Sequence, residues 1–279
     1  MPIDLIKHPV FRQFIDNGSQ PIRGFSVDFT GQDAGADFGI PGHLEEEPFE
    51  WLALLEAVLD AHESFTMFEL GAGYGRWLVR AACAARQKNP TVKLKFVAVE
   101  PEPTHFSWMR KHFANNALNA QDHVLIEAVV NARGEPVRFL VGHPEWYGQS
   151  VVPQGWTLAN FPDTVASYPK VHVIEVPGVK LTDLLAPHRY VDLVDMDIQG
   201  SEQEVVQASI DGMTAKVRRA FVSTHSAQIH TSVARTFSNA GWQLSEIHGW
   251  TGAPEHTSFG TITFVDGVQY WINPHVARS

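Results

Sequence analysis

Cysteine is almost absent. Cys83 is the single one in 279 residues, which excludes an intrachain disulfide and any cysteine-based zinc framework and fits a reducing compartment. It sits in an Ala-rich apolar stretch that reads as a buried helix face. Long hydrophobic runs are also missing, since nothing approaches the roughly 18 residues of a membrane span. The segment Met1–Val10 mixes charge and proline with its apolar residues, so it offers no signal-peptide core. A cytoplasmic protein without a membrane partner is the expectation. Basic charge is scarce as well. Lys plus Arg number 21 against 31 Asp plus Glu, a formal net charge of −10. With no dense Lys/Arg run, a nucleic-acid partner is disfavoured, because phosphate backbones are repelled. The fourteen histidines are scattered and show no His-Glu-x-x-His spacing.

What is present is a globular composition, with 44% apolar and 19% charged residues. That suffices for one sizeable core. Residues 1–43 carry no periodicity and are punctuated by Gly24, Gly31, Gly35, Gly39 and Gly42, so they read as an arm or lid. From residue 44 to 279 a single decorated domain is expected. Trp51, Leu54, Leu55, Val58 and Leu59 form one apolar helical stripe, entered through Glu45, Glu46 and Glu47. Strand and helix patterns then alternate. Phe65–Leu70, Phe96–Val99, His123–Val130, Tyr190–Met196 and Ala220–Thr224 read as strands, with helical spacing between them. Such alternation means βαβ units and a mostly parallel sheet with helices on both faces. Thr261–Val265, Asp266-Gly267 and Val268–Ile272 read as a C-terminal antiparallel hairpin with a type I′ turn. An insertion at about 132–189 holds strand patterns at Pro136–Val141 and Val171–Val176, with a Gly/Pro/Trp-rich stretch between. A loop so long inside a compact domain is commonly functional.

The chemistry concentrates at strand ends. Phe68-Glu69-Leu70-Gly71-Ala72-Gly73-Tyr74-Gly75 stands where a strand turns into a helix, and its glycines let the backbone approach a ligand. Glu69 there could take a ligand ammonium but would repel a pyrophosphate. The strictly alternating glycines also miss the dinucleotide spacing, which disfavours a nicotinamide oxidoreductase. Glu100, at the end of the next strand and followed by Pro101, is placed to reach ribose hydroxyls. Together the two acids describe a nucleoside with a cationic tail and no phosphate, which is S-adenosylmethionine. Further along, Asp195 and Asp197 share a face of one strand end. Ser201 and Glu204 read as a capping box for the next helix. His225 ends the following strand, on the same rim. A divalent ion held by Asp195, Asp197 and His225 is conceivable from residue type, but two or three candidates do not define a site. No metal is predicted.

At Glu69–Gly73, Val99-Glu100-Pro101, Leu181–Leu185 and Asp192–Glu202 the chain resembles the FkbM family of S-adenosylmethionine-dependent methyltransferases. The resemblance implies a class I, Rossmann-like sheet of seven strands. It also implies methylation of a hydroxyl on a sugar or natural product. Gly71, Ala72, Gly73 and Tyr74 with Glu69 would line the cofactor, Glu100 and Pro101 its ribose end, and Asp197 would sit beside the transferring methyl. The family usually has Lys and Glu where this chain has Asp195 and Gln199.

The expectation is therefore an O-methyltransferase acting on a small molecule, with Asp197 or His225 as catalytic base. Trp146, Tyr147 and Trp156 are aromatic candidates for contacting the acceptor. The competing expectation, motivated by Asp195 and Gln199, is a non-catalytic module that keeps the fold as a binding or partner domain.

Overall fold

The computed structural model describes residues 8–14, 47–144, 146–168 and 170–276. Most of the expected arm, with its five glycines and Glu45 and Glu46, lies outside them. Helix α1 (Pro9–Arg12) is described, and here the arm joins the core. Phe11 and Phe14 are buried, and the Phe11 ring meets Phe259 edge-on at 5.7 Å.

Seven strands form the main sheet, labelled along the chain β1 (Ser64–Leu70), β2 (Lys93–Val99), β3 (Val124–Ile126), β4 (Leu193–Met196), β5 (Arg219–Thr224), β6 (Gln243–His248) and β7 (Gly267–Ile272). Their spatial order is β6-β7-β5-β4-β1-β2-β3. The pairings β3-β2-β1-β4-β5 are parallel, whereas β7 runs antiparallel to both β5 and β6. The order reverses between β1 and β4, so the open crevice of the sheet lies at the carboxyl ends of those two strands.

Strand alternation explains the two covered faces. Phe65 and Met67 of β1 and Phe96 and Ala98 of β2 point into a core with α2 (Glu47–Leu59) and α3 (Arg76–Lys88). Phe68 and Leu70, with Val97 and Val99, point the other way. They meet α5 (Leu181–Leu185), α6 (Glu202–Lys216) and α7 (Ala227–Asn239) through Leu185, Val206, Met213 and Phe237. Helix α4 (Pro103–Asn115) follows β2, and its Met109 and Phe113 join the first core. Cys83 is buried on α3, and that burial pushes its thiol up to about 11.

Two local expectations need correction. Val268–Ile272 is an antiparallel strand, but it does not fold back on Thr261–Val265 across Asp266-Gly267. It pairs instead with β5 and β6, and Gly260–Ile262 pairs with Glu255–Thr257. Insertion between β5 and β6 buries Val268, Tyr270 and Trp271, more apolar surface than a free hairpin could hide, and this overrides the turn dipeptide. The capping box at Ser201 is also not formed, for Ser201 makes no side-chain cap. Glu202 takes over: its Oε1 accepts from the backbone N–H of Ile198 at 3.3 Å and of Gly200 at 3.0 Å.

Between β3 and β4 the chain builds a small β extension. Val129–Val130 pairs with Gly178–Val179, and Val137–Val141 pairs antiparallel with His172–Val176. The loop carrying Trp146 and Tyr147 emerges from this extension and returns over the crevice.

Candidate active site

The glycine turn after β1 is held from three sides. Gly71 and Ala72 donate their N–H groups to the Val99 carbonyl at the end of β2, at 2.9 and 3.0 Å. Gly73 donates to Glu100 Oε2 at 2.7 Å. The turn also touches β4, where Asp197 N–H donates to the Leu70 carbonyl at 2.9 Å. Gly71 has φ +81°, and a Cβ there would lie 1.8 Å from the Asp197 carbonyl oxygen. Only glycine fits such a junction. Gly75 opens α3 at φ +73°, packed under Met109 and Phe113 of α4.

Glu69 is buried, with its carboxylate turned to α3. It accepts from the N–H groups of Trp77 and Leu78 at 3.2 Å each, and so satisfies donors that a helix start leaves open. Burial and the neighbouring Asp195 charge raise its pKa well above the usual range, against the pull of those two N–H groups. Glu100 is buried too, and its other oxygen accepts from Glu102 N–H at 2.8 Å. His105 of α4 faces Glu100 at 3.8 Å and binds the Pro144 carbonyl at 2.6 Å. Burial works against its charge, but Glu100, Pro144 and Glu102 overcome this and raise its pKa.

Two cavities open on this crevice. The smaller, about 100 Å³, is lined by Gly71, Gly73, Glu100, Pro101, Ala128 and Val129, among others. Gln149, 5% exposed, also lines it, and its Nε2 has no partner among the described residues. The larger, about 500 Å³, is lined by Glu47, Glu50, Glu69, Tyr74, Asp195 and Ser223, among others. Gly71, Gly73, Tyr147 and Asp197 belong to both walls. Tyr147 stacks flat on His105 (4.7 Å, 13°), and a Cβ on Gly73 would stand 3.5 Å from its ring. Trp146 stacks on Tyr168 at 4.9 Å and Trp156 meets Phe161 edge-on at 5.4 Å, so these two pack within the insertion.

Beside Asp197 lies a charged cluster. His225 Nδ1 and Glu202 Oε1 are 2.8 Å apart, and Nε2 faces Asp197 Oδ1 at 3.3 Å. Glu202 is fully buried. Burial disfavours the imidazolium, but the two carboxylates overcome it and lift His225 to about 10. Gln199 Nε2 donates to Asp197 Oδ1 at 3.1 Å. Among the described residues, Asp197, Glu202 and His225 are close enough together to share one metal ion. Asp195, which the motif reading grouped with Asp197 and His225, points instead to the larger cavity beside Glu50.

Sequence reading missed Glu47, Glu50, His105 and Gln149 as site residues. Each comes from a helix or loop whose approach to the crevice is set by tertiary packing. Glu202 was visible in its motif, but its role as partner of His225 depends on how β5 lies beside β4.

A seven-stranded sheet in this order, with a glycine turn after β1 and an acid after β2, defines the class I, Rossmann-like methyltransferase fold. Residues 69–248 match the methyltransferase FkbM domain, and the chain belongs to that family. It is 29% identical over 211 residues to a protein of Jannaschia sp. (strain CCS1) assigned as a methyltransferase, covering 74% of this chain and 72% of that one. Among solved structures it is similar to a methyltransferase FkbM from Methylobacillus flagellatus KT, with 12% identity over 75% of this chain and 44% of that one and a TM-score of 0.42. It is also similar to Aeropyrum pernix fibrillarin in complex with natively bound S-adenosyl-L-methionine, with 11% identity over 80% and 76% of the two chains and a TM-score of 0.38.

Proposed function

We propose that this methyltransferase uses S-adenosylmethionine to methylate a hydroxyl of a small-molecule acceptor, a sugar or natural product. The observation that carries the reading is Asp197, which stands on the shared wall of both cavities. A group at that junction can meet a nucleoside ligand on one side and an acceptor on the other.

The residues present suit the cofactor. Gly73 leaves open space that a side chain would narrow, for a Cβ there would meet only the Tyr147 ring, at 3.5 Å. Glu100 stands at the end of β2, where an acid reaches ribose hydroxyls. Gln149 Nε2 is a buried donor with no partner among the described residues, and a nitrogen-rich base in the smaller cavity would satisfy it. Pro101, Ala128 and Val129 supply apolar walls for a planar ring. When bound, S-adenosylmethionine supplies an electrophilic methyl on a sulfonium.

The chain's own work is alignment and proton acceptance. Asp197 is the base in this reading. His225, lifted to about 10, is an imidazolium near neutral pH and has no lone pair with which to take a proton. Held by Glu202, it positions Asp197 and balances its charge. Tyr147 forms the partition above the transfer point.

Calorimetry on dialysed protein with S-adenosylhomocysteine tests the reading. Binding at one site per chain is expected, weakened at least tenfold by Glu100→Ala. Absence of binding by the wild type would overturn it.

A further inference from the structure

We propose that the larger cavity is an acceptor subsite for a cationic group, so that the acceptor carries an amine as well as the hydroxyl to be methylated. The proposal rests on the methyltransferase reading above and narrows its substrate class.

The cavity wall is dominated by carboxylates. Glu47 and Glu50 reach it from α2, Glu69 from the end of β1, and Asp195 and Asp197 from β4 and the loop after it. One cation, Arg76, is on that wall, and it is already paired with Glu47. Arg80 lies behind, 3.8 Å from Glu47 and 4.7 and 4.4 Å from the Trp51 and Trp77 ring centres.

Acidic residues alone would make no site, but Asp195 adds an independent observation. It is 3% exposed, lines the cavity, and its Oδ1 has no partner among the described residues. A buried carboxylate oxygen left unpaired is costly unless something binds it. Glu50 and Asp195 share a hydrogen bond. A bound ammonium would take up Oδ1 and relieve the crowding.

The position also suits an acceptor. Asp195, Glu50 and Ser223 lie on the part of the wall that the smaller cavity does not share. Asp195 and Asp197 are two residues apart and line the same cavity. An ammonium on Asp195 would leave a hydroxyl a few bonds away facing Asp197.

Three probes of nearly equal shape test this: tyramine, tyrosol and 4-hydroxyphenylacetate, which differ in their terminal amine, alcohol or carboxylate. Their affinities are measured by calorimetry on the protein alone and saturated with S-adenosylhomocysteine. Tyramine is expected to bind at least tenfold more tightly than tyrosol, with 4-hydroxyphenylacetate weakest. Asp195→Asn should remove the preference. No preference for the amine, including no binding of any probe, would overturn the proposal. So would magnesium chloride binding more tightly than tyramine at the same residues. If Asp195→Asn does not fold, the wild-type ratios decide alone. If Asp195→Asn loses S-adenosylhomocysteine tenfold or more, the carboxylate serves the cofactor's own ammonium and the proposal fails. A wild type that prefers tyramine but does not bind S-adenosylhomocysteine keeps the cation subsite and sinks the methyltransferase reading. One that binds S-adenosylhomocysteine without amine preference does the reverse.

Discussion

The Cβ position of Gly71 lies 1.8 Å from the carbonyl oxygen of Asp197, so the turn after β1 and the end of β4 meet through a residue that cannot carry a side chain. Gly71→Ala adds a left-handed penalty at φ +81° to a clash with rigid backbone, and the two costs together should reach about 3 kcal/mol or more. Urea unfolding should show the loss, and S-adenosylhomocysteine binding should disappear with it. A variant of wild-type stability and affinity would show that the two loops separate freely.

Tyr147 is 43% exposed, yet it roofs Gly73 and stacks on buried His105. Little core packing depends on it, so Tyr147→Ala should leave the thermal midpoint nearly unchanged. Removing the partition between the cavities should weaken S-adenosylhomocysteine about tenfold, the size expected for one lost aromatic stacking contact. A variant that loses stability but not affinity would make the ring a structural pin.

The fold was legible because its strands are buried on both faces and its helices are amphipathic. Phe96–Val99 and the stripe from Trp51 to Leu59 announce themselves by period. The adjacency of β1 and β2 came from motif spacing, for the glycine turn and Glu100 make sense only on neighbouring strands. The exchange of the expected C-terminal hairpin for insertion between β5 and β6 was not legible. A turn dipeptide is a local signal, and the burial that outweighs it is made by strands that lie well outside the turn in sequence. In the site, Glu69 was visible as a residue, but its turn toward α3 follows from where that helix begins. Gln149 and Glu50 left no trace, since nothing local distinguishes a polar residue in a loop or helix that will later face a cavity.

His225 carries a stability signature with a definite sign. Its folded pKa of about 10 lies above the ordinary imidazole value of about 6.5. The folded state therefore binds more protons between these values, and the contribution is full below about pH 6.5 and lost as pH rises through about 10. The difference in unfolding free energy between wild type and His225→Gln should be largest near pH 6 and shrink toward pH 10. Glu202→Gln, by removing the partner at 2.8 Å, should move that decline to lower pH. Chemical denaturation across the range measures both. A difference that stays constant with pH would mean that His225 is neutral in the folded protein.

Asp197→Asn separates chemistry from architecture. The backbone groups of residue 197 fix the turn, through the Leu70 carbonyl at 2.9 Å and the close approach to Gly71, and the substitution leaves them intact. The amide can still accept from Gln199, so the loop should keep its shape. What is lost is the capacity to take a proton. Methyl transfer should fall by about 10²–10⁴ in kcat, the usual contribution of a positioned base, with KM for the acceptor and affinity for S-adenosylhomocysteine changed by less than about threefold. His225 should titrate lower in the same variant, because a carboxylate 3.3 Å from Nε2 has been replaced by a neutral group. An NMR titration of the imidazole reads that shift without reference to turnover. If kcat persists while the shift occurs, Asp197 tunes His225 but takes no proton. If KM rises and kcat does not fall, its carboxylate binds the acceptor, and the base must be sought elsewhere on the cavity wall.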